Sequence, residues 1–374
     1  MVTSDMLKAR VPLFPAYQIP AFRFVDIFAG IGGMRLGFEA AGGQCVFSSE
    51  WDVHSQKTYF ANHGDFPKGD ITLIPSSEIP DFDVLLAGFP CQPFSSIGLR
   101  QGFLHQTQGT LFYEIARILA DKKPLAFLLE NVEGLVTHNS GQTMQIILET
   151  LRELGYVVTY QVLDASEFGV PQKRKRIYIV GHKLENTVFS FPKGTRSDVF
   201  IGQFIETGVE GYGISEHLQK TYIFKKDDGK PAIVSPDSRI HIKTQVASYH
   251  KIQRLTGTFV RDGKTGLRLL TENECKAIMG FPPHFVFPVS RTQMYRQIGN
   301  SVAVPVITAI AKEIQKQLIG KNMNKKQLPL SRVGTRPTPT KNPSPKIHIF
   351  HVGATLVVAL FHIVKWSAQT MVQT

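Results

Sequence analysis

Three groups of side chains in this 374-residue chain are of types and spacings that can do chemistry together. The first is Cys91, in GFPCQPFSSIG. Pro90 pushes Phe89 toward an extended conformation and Pro93 blocks an early helix, so the thiol is held off regular structure after an apolar run. A thiolate is the soft nucleophile needed to attack an electron-poor ring carbon. That attack needs an acid to neutralise charge on the ring and cations to hold the ring's oxygen. LLENVEG offers the acid, Glu130, after a second apolar run. Buried beside a thiolate, its carboxyl would be raised in pKa and would serve as proton donor or hydrogen-bond partner. VPQKRKRIYIVG alternates Lys173, Arg174, Lys175 and Arg176. In an extended segment Arg174 and Arg176 share one face. Cys45, in strand-like QCVF, and Cys275, in a helical stretch, read instead as small buried residues.

A second constellation precedes these. In DIFAGIGGMRLGFE, Gly30, Gly32 and Gly33 fall where a strand turns into a helix, letting the backbone turn tightly and a ligand approach closely. The nicotinamide pattern GxGxxG fails, because its last place is Arg35. Glu50 lies 20 residues after Gly30, the spacing at which a carboxylate takes ribose hydroxyls. Trp51 offers a flat face for an adenine, and Asp70, in KGDIT, an acceptor for an exocyclic amine. Read as three successive strand ends, these describe an adenosine pocket. With no phosphate-binding Lys in the loop, S-adenosylmethionine fits it better than a nucleotide.

The elements that must position these groups are legible as apolar runs. FRFVDIFAG, QCVFSSEW, FDVLLAGF, LAFLLENV, YVVTYQVLD and KRIYIVG read as strands. GGMRLGFEAAG, SQKTYFANH, TLFYEIARILADKK and TMQIILETLRELG have helical periodicity. Their alternation predicts an α/β fold, a parallel Rossmann-like sheet with helices on both faces and ligands at the strands' carboxyl ends. Residues 186–265 break the pattern with short β-like pieces and no clear helix, and predict a small, mostly β or irregular second domain. A helix returns at TENECKAIMGF, and QIGNSVAVPVITAIAKEIQKQL predicts a loop and then a helix to about Ile319.

Composition narrows the classes. Apolar content of 43% and charged content of 19% exclude a disordered chain. Three cysteines without a CxxC pair exclude a disulfide framework and a cysteine-built zinc site. The start MVTSDMLKARVPLF lacks the apolar core of a secretory signal. The net charge of +12 is concentrated: residues 321–374 hold eight Lys or Arg and no acid, leaving 34 basic against 30 acidic residues before them. Overall basicity is therefore weak evidence for a nucleic-acid partner, and local patches must carry that case. The last apolar stretch, HIFHVGATLVVALFHIVKW, is short for a membrane span and interrupted by histidines, so no membrane role is expected.

Taken in order, these motifs resemble the DNA cytosine-5 methyltransferases of bacterial restriction–modification systems. DIFAGIGG resembles that family's cofactor loop, EW and GDI its next two motifs, GFPCQPFS its nucleophile motif and ENV its acid motif. QKRKRIYIVG resembles its basic motif, and RLLTENECKAIMGFP and YRQIGNSVAVPV its last two. The resemblance spans roughly residues 22–320. It implies that a cytosine flips out of duplex DNA, Cys91 adds to C6, and C5 takes the methyl group of S-adenosylmethionine. Glu130 would contact N3 and the exocyclic amine. Arg176 would hold O2, with Arg174 and Gln172 bracing the site. Phe28, Gly30, Ile31, Gly32, Gly33, Glu50, Trp51, Asp70, Ile71 and Pro90 would bind the cofactor, with Asn300, Ser301 and Val302 at its methionine end. The loop after Cys91, hinged at Gly98 and Gly102, would close over DNA, with Gln92, Ser95 and Arg100 as contacts.

The implied division is an arm (1–21), a catalytic domain (22–185), a target-recognition domain (186–265), a return to the catalytic domain (266–320), and a tail (321–374) of no assigned role. Between Arg239 and Arg261 the recognition segment has five basic residues, no acid, and interleaved Tyr249, His250 and Phe259. Gln172 of the basic motif and, here, Arg239, Lys243, Lys251 and Arg254 are the expected DNA contacts. The implied partners are double-stranded DNA and, functionally, a cognate restriction endonuclease. No metal is expected, and the implied setting is a monomer in the bacterial cytoplasm, at the nucleoid. Other readings fit less well. A tRNA cytosine-5 methyltransferase of the same build usually carries a Cys-Phe-Thr motif, absent here. Methyltransferases of exocyclic amines need a (Asp/Asn/Ser)-Pro-Pro-(Tyr/Phe) motif where this chain has Pro-Cys. A silent DNA-binding relative would have no need of Cys91, Glu130, Arg174 and Arg176 together.

Overall fold

The computed structural model describes residues 20–90 and 111–320. Cys91, Gln92, Ser95, Arg100 and the tail from residue 321 lie outside the described residues. The first strand and helix are β1 (Phe22–Ile27) and α1 (Gly33–Glu39). β2 (Gly43–Ser49), α2 (Val53–His63), β3 (Val84–Gly88), α3 (Leu111–Lys122), β4 (Ala126–Val132), α4 (Gln142–Glu153) and β5 (Val157–Asp164) follow. A two-residue strand, β6 (Gln172–Lys173), then precedes β7 (Lys175–His182).

Six of these strands form one sheet in the order β2-β1-β3-β4-β7-β5. Alternate residues of each strand feed opposite faces. Phe24, Leu86, Leu128 and Val180 share a buried cluster with Met34 and Phe38 of α1. Val25, Leu85, Phe127, Leu129 and Ile179 pack on α3 and α4. Neighbours from β2 to β4 run parallel, as the alternation predicts, but β7 is antiparallel to both β4 and β5. The expectation of a wholly parallel sheet is corrected there. The reason is chain length: only residues 165–174 join β5 to β7, too few for a helical crossover.

Beyond β7 the chain builds a second lobe with its own core. Its regular pieces are short: one turn of helix α5 (Glu216–Leu218), β8 (Ala232–Val234), β9 (Ile242–Lys243) and β10 (Thr258–Val260). Three longer helices close the fold, α6 (Glu272–Met279), α7 (Arg291–Asn300) and α8 (Val304–Ile314). Thr271 and Glu274 make a reciprocal capping box at the start of α6. Ile201, Ile223, Val234, Tyr249 and Phe259 share one apolar cluster with Cys275 and Ile278 of α6 and Met294 and Tyr295 of α7. The same cluster takes in Ile31 and Leu36 beside the first glycine turn, so α6, α7 and that turn all pack on the second lobe. The return to the sheet is made by α8, whose Val306, Ile307 and Ile310 join the face covered by α1. Among the described residues, no helix is long and apolar enough to cross a membrane.

Candidate active site

A cavity of about 760 Å³ opens at the carboxyl ends of the parallel strands. Its first wall is the turn after β1. Phe28 and Gly30 adopt left-handed φ of 57°, and Gly32 caps α1 at φ 84°. Gly33 is needed for closeness: a Cβ there would lie 2.8 Å from Ser301 Oγ and 2.9 Å from Val302 Cγ2. The turn therefore meets the loop between α7 and α8, nearly 270 residues away in sequence. Arg35, which spoils the nicotinamide pattern, turns away into the protein and binds Glu39, Tyr59 and Asp65.

The second wall carries Glu50 and Trp51. Each Glu50 oxygen accepts one backbone N–H, from Gly30 and from Asp52, both at 2.8 Å. Burial raises its carboxyl against those bonds. Each oxygen keeps a lone pair for a ligand hydroxyl. Trp51 stands 77% exposed on the rim, an unusual position for so large an apolar ring. Asp70 is not a strand end. It heads a short 3-10 turn beside β2, where Ser49 bridges Lys68, and its carboxylate holds Thr72.

The far wall is acid and base. Glu130 of β4 lies 3.1 Å from Arg176 Nε at the start of β7. Burial raises the Glu130 carboxyl, and Arg176 and then Arg174 oppose the rise. Its neighbour Asn131 donates to Phe89 O at 2.8 Å and so ties the acid strand to the backbone just before Pro90. Asn131 was not singled out by residue type. The signal was its place in ENV, beside the acid. Nothing local in the sequence marks Asp26 either. It lines the cavity at the end of β1, and burial pushes its carboxyl up to about 8.

Every predicted cofactor residue but Gly32 lines this one cavity, together with Glu130, Arg174 and Arg176. The predicted DNA contacts divide. Arg239, Lys243 and Lys251 are exposed on the second lobe. Gln172 and Arg254 are corrected. Gln172 is wholly buried, with its amide spent on Ile278 and Gln245. Arg254 is buried against Asp228, Ile223 and Lys226. Neither is free to meet a duplex, because its polar groups already have internal partners. Tyr249 and Phe259 likewise belong to the second core, where Tyr249 Oη donates to Thr258 O at 2.6 Å. Cys275 is buried in α6 and Cys45 half-buried in β2, where burial pushes the Cys45 thiol up to about 12, in keeping with inert roles.

A glycine turn, an acid at the second strand end and a cavity on the sheet's carboxyl edge define the fold of an S-adenosylmethionine-dependent methyltransferase. The fold is shared with the Dnmt2 methyltransferase of S. pombe (TM-score 0.64, 22% identity, 80% of this chain and 99% of that one). It is shared also with a DNMT2 mutant of Spodoptera frugiperda (0.63, 22%, 78% and 99%). Residues 22–316 match the C-5 cytosine-specific DNA methylase family, and the chain belongs to it. The type II methyltransferase M.MspI of Moraxella sp is 59% identical over 293 residues, 78% of this chain and 70% of that protein. M.BsuFI of Bacillus subtilis is 57% identical over 299 residues, 79% and 73% of the two chains. Membership implies S-adenosylmethionine as methyl donor. The cavity fits it: Glu50 has free lone pairs for ribose, Trp51 an uncovered ring for adenine, and no cation of the glycine turn faces the space for a phosphate.

Proposed function

We propose that this protein is the modification enzyme of a type II restriction–modification system in a bacterial cytoplasm. It methylates C5 of a cytosine flipped from a short duplex sequence and so protects host DNA from a cognate endonuclease. The observation that carries the reading is the Glu130–Arg176 pair, 3.1 Å apart on the cavity wall, with Asn131 beside the acid donating to Phe89 O, two residues before Cys91 in sequence. A buried carboxyl raised toward neutrality donates to N3 of a cytosine ring, and a guanidinium beside it holds O2. Cys91 then forms its S–C6 bond as charge moves onto the ring, and C5 becomes nucleophilic. The walls of Gly30, Glu50, Trp51 and Ser301 would hold S-adenosylmethionine, which would supply an electrophilic methyl group and depart as the neutral thioether, its sulfur keeping the C–S bonding pair. Once C5 carries the methyl group, a base removes the C5 proton and the S–C6 bond breaks, which restores the thiolate. Glu130 keeps its proton on N3 through the adduct and takes it back at the end. The exposed cations of the second lobe, Arg239, Lys243 and Lys251, support its reading as the recognition lobe.

Bisulfite sequencing of a plasmid propagated with the gene tests this. Protected cytosines at one recurring short sequence are expected, and none with Cys91→Ser. Protection that survives Cys91→Ser removes the nucleophile; no protected cytosine in either strain removes the DNA substrate.

A further inference from the structure

The basic strand does more than present Arg176. Gln172 Oε1 accepts from the backbone N–H of Gln245 at 2.8 Å, and Arg174 Nη1 donates to the carbonyl of the same residue at 3.2 Å. One main-chain unit of the second lobe is thus gripped at both ends by two residues of the first. Arg174 Nη2 reaches further, to Gly299 O at 3.0 Å and Ser301 O at 2.5 Å, in the loop that abuts Gly33. The surroundings reinforce the grip. β6 pairs in parallel with β9, and Thr244 Oγ1 donates to Lys173 O at 2.9 Å. A Cβ on Gly299 would lie 2.2 Å from Ala247 N, so the segment after Gln245 is seated flush on α7. Gln172, Arg174 and Gln245 are all at most 4% exposed.

We propose that Gln172 and Arg174 are positioning residues that lock the second lobe's Gln245 segment to the catalytic strand and to the Ser301 loop, so that correct seating of the duplex on that lobe sets the geometry of Glu130 and Arg176. The inference rests on the second lobe being the one that reads DNA. Its physical basis is alternation along an extended strand: residues 172, 174 and 176 point to one side. Two of them hold the lobe, and the third holds the acid. A displacement of Gln245 therefore moves the same backbone that aims Arg176. Stability alone is a poor account of such a joint. Arg174 is a buried cation held by three carbonyls, and its Nε has no hydrogen-bond partner. An apolar contact would hold the lobes at lower cost.

The test compares Arg174→Lys, Gln172→Met and the double variant, each as the full chain with S-adenosylmethionine. Single-turnover methylation is measured on the cognate duplex and on a duplex changed at one recognised base pair. Misaiming by about 1 Å slows chemistry about 100-fold. Each single variant should lose about that factor on the cognate site at saturating cofactor, while duplex affinity stays within about threefold. The ratio of cognate to altered-site rates should fall in both. The double variant should be no slower than the slower single, because both changes release the same segment. Multiplying losses, or a slow Arg174→Lys beside a normal Gln172→Met, would place Arg174 on the cytosine and overturn the proposal. Slow variants with unchanged discrimination would also overturn it, leaving a structural tie. Should Arg174→Lys not fold, Gln172→Met and Thr244→Val must both lower discrimination, and the proposal fails if either does not. A wild-type protein that methylates no duplex defeats the proposed function instead, so the two failures are distinguishable.

Discussion

Gly32→Ala and Gly30→Ala sit two residues apart in one turn, and the structure predicts that they fail in opposite ways. Both glycines hold left-handed φ, 84° and 57°, so alanine costs roughly 1–2 kcal/mol at either. Their surroundings differ. A Cβ on Gly32 would lie 2.1 Å from His63 Nε2 and 2.8 Å from Cδ2. His63 cannot swing aside. It is 3% exposed, tilted against the Tyr59 ring at 4.5 Å between centroids and edge-on to Phe285. Overpacking of that kind adds roughly 1–3 kcal/mol, for a total of roughly 2–5 kcal/mol. Among the described residues a Cβ on Gly30 meets nothing within 4 Å beyond its chain neighbours, so its cost stops at the backbone, but it occupies the wall of the cofactor cavity. Urea denaturation should therefore show Gly32→Ala less stable than Gly30→Ala. Calorimetry with S-adenosylmethionine should show Gly30→Ala as the poorer binder once each is folded. Adding His63→Ala to Gly32→Ala removes the clashing ring, and the double variant should be more stable than the two single losses summed. Equal urea midpoints for the two glycine variants, or strict additivity with His63→Ala, would refute the steric reasoning.

Three further outcomes follow from the site. Trp51→Ala removes the exposed ring on which a purine would stack; a loss of about 1–3 kcal/mol in cofactor affinity is expected by calorimetry, with duplex affinity unchanged. Asp26 rises from an ordinary carboxylate to about 8 in the folded protein, so the folded state binds its proton more tightly than the unfolded chain. Its contribution is fully present at low pH and is lost as pH climbs from about 4 to about 8, a slope that urea midpoints of Asp26→Asn should lack. Lys173 and Lys243 are paired residues of β6 and β9, both exposed, and like charges side by side are settled by a polyanion. If each meets one phosphate, Lys→Gln at either should lower the slope of log duplex affinity against log salt by about 0.9; an unchanged slope removes that residue from the interface.

What could be read beforehand depended on whether a residue's neighbours lay close in sequence. The strands from Phe22 to His182 announce themselves as apolar runs, and Gly30, Glu50 and Cys91 as special types at their ends. A run of apolar residues carries no sign of direction, so the reversal of β7 was invisible. The second half of α7, QIGN, reads as loop in the sequence. It is helical because Ser290 caps it, Met294, Tyr295 and Ile298 fill the second core, and Gly299 lets residues 246–247 pass. Gln172 and Arg254 look like surface residues by type. Their partners, Gln245 and Asp228, are 73 and 26 positions away, and no local pattern reveals them.

The reversal of β7 is also what lets the basic motif work. The motif lies at the beginning of its strand. In a sheet of one polarity, strand beginnings lie on the edge opposite the ligand. β7 runs against β4, and the register sets Arg176 beside Val132 and Tyr178 beside Glu130. Run parallel, Arg176 would instead fall near the Ala126 end of β4. At 3.3 Å per residue that is about 13 Å from the cavity's acid, beyond a guanidinium's reach. The short link of residues 165–174 is therefore a functional constraint. It is too short for a crossover helix, so it forces the chain to turn back, and the turn delivers Gln172, Arg174 and Arg176 to the carboxyl edge in that order. Lengthening the link would relax the requirement that sets the direction of the strand. The same economy explains why the second lobe begins where it does. A chain that has just passed the active edge in reverse leaves the sheet at its far side after His182. It must come back across the site through Gln245 and α7 before α8 can close on α1.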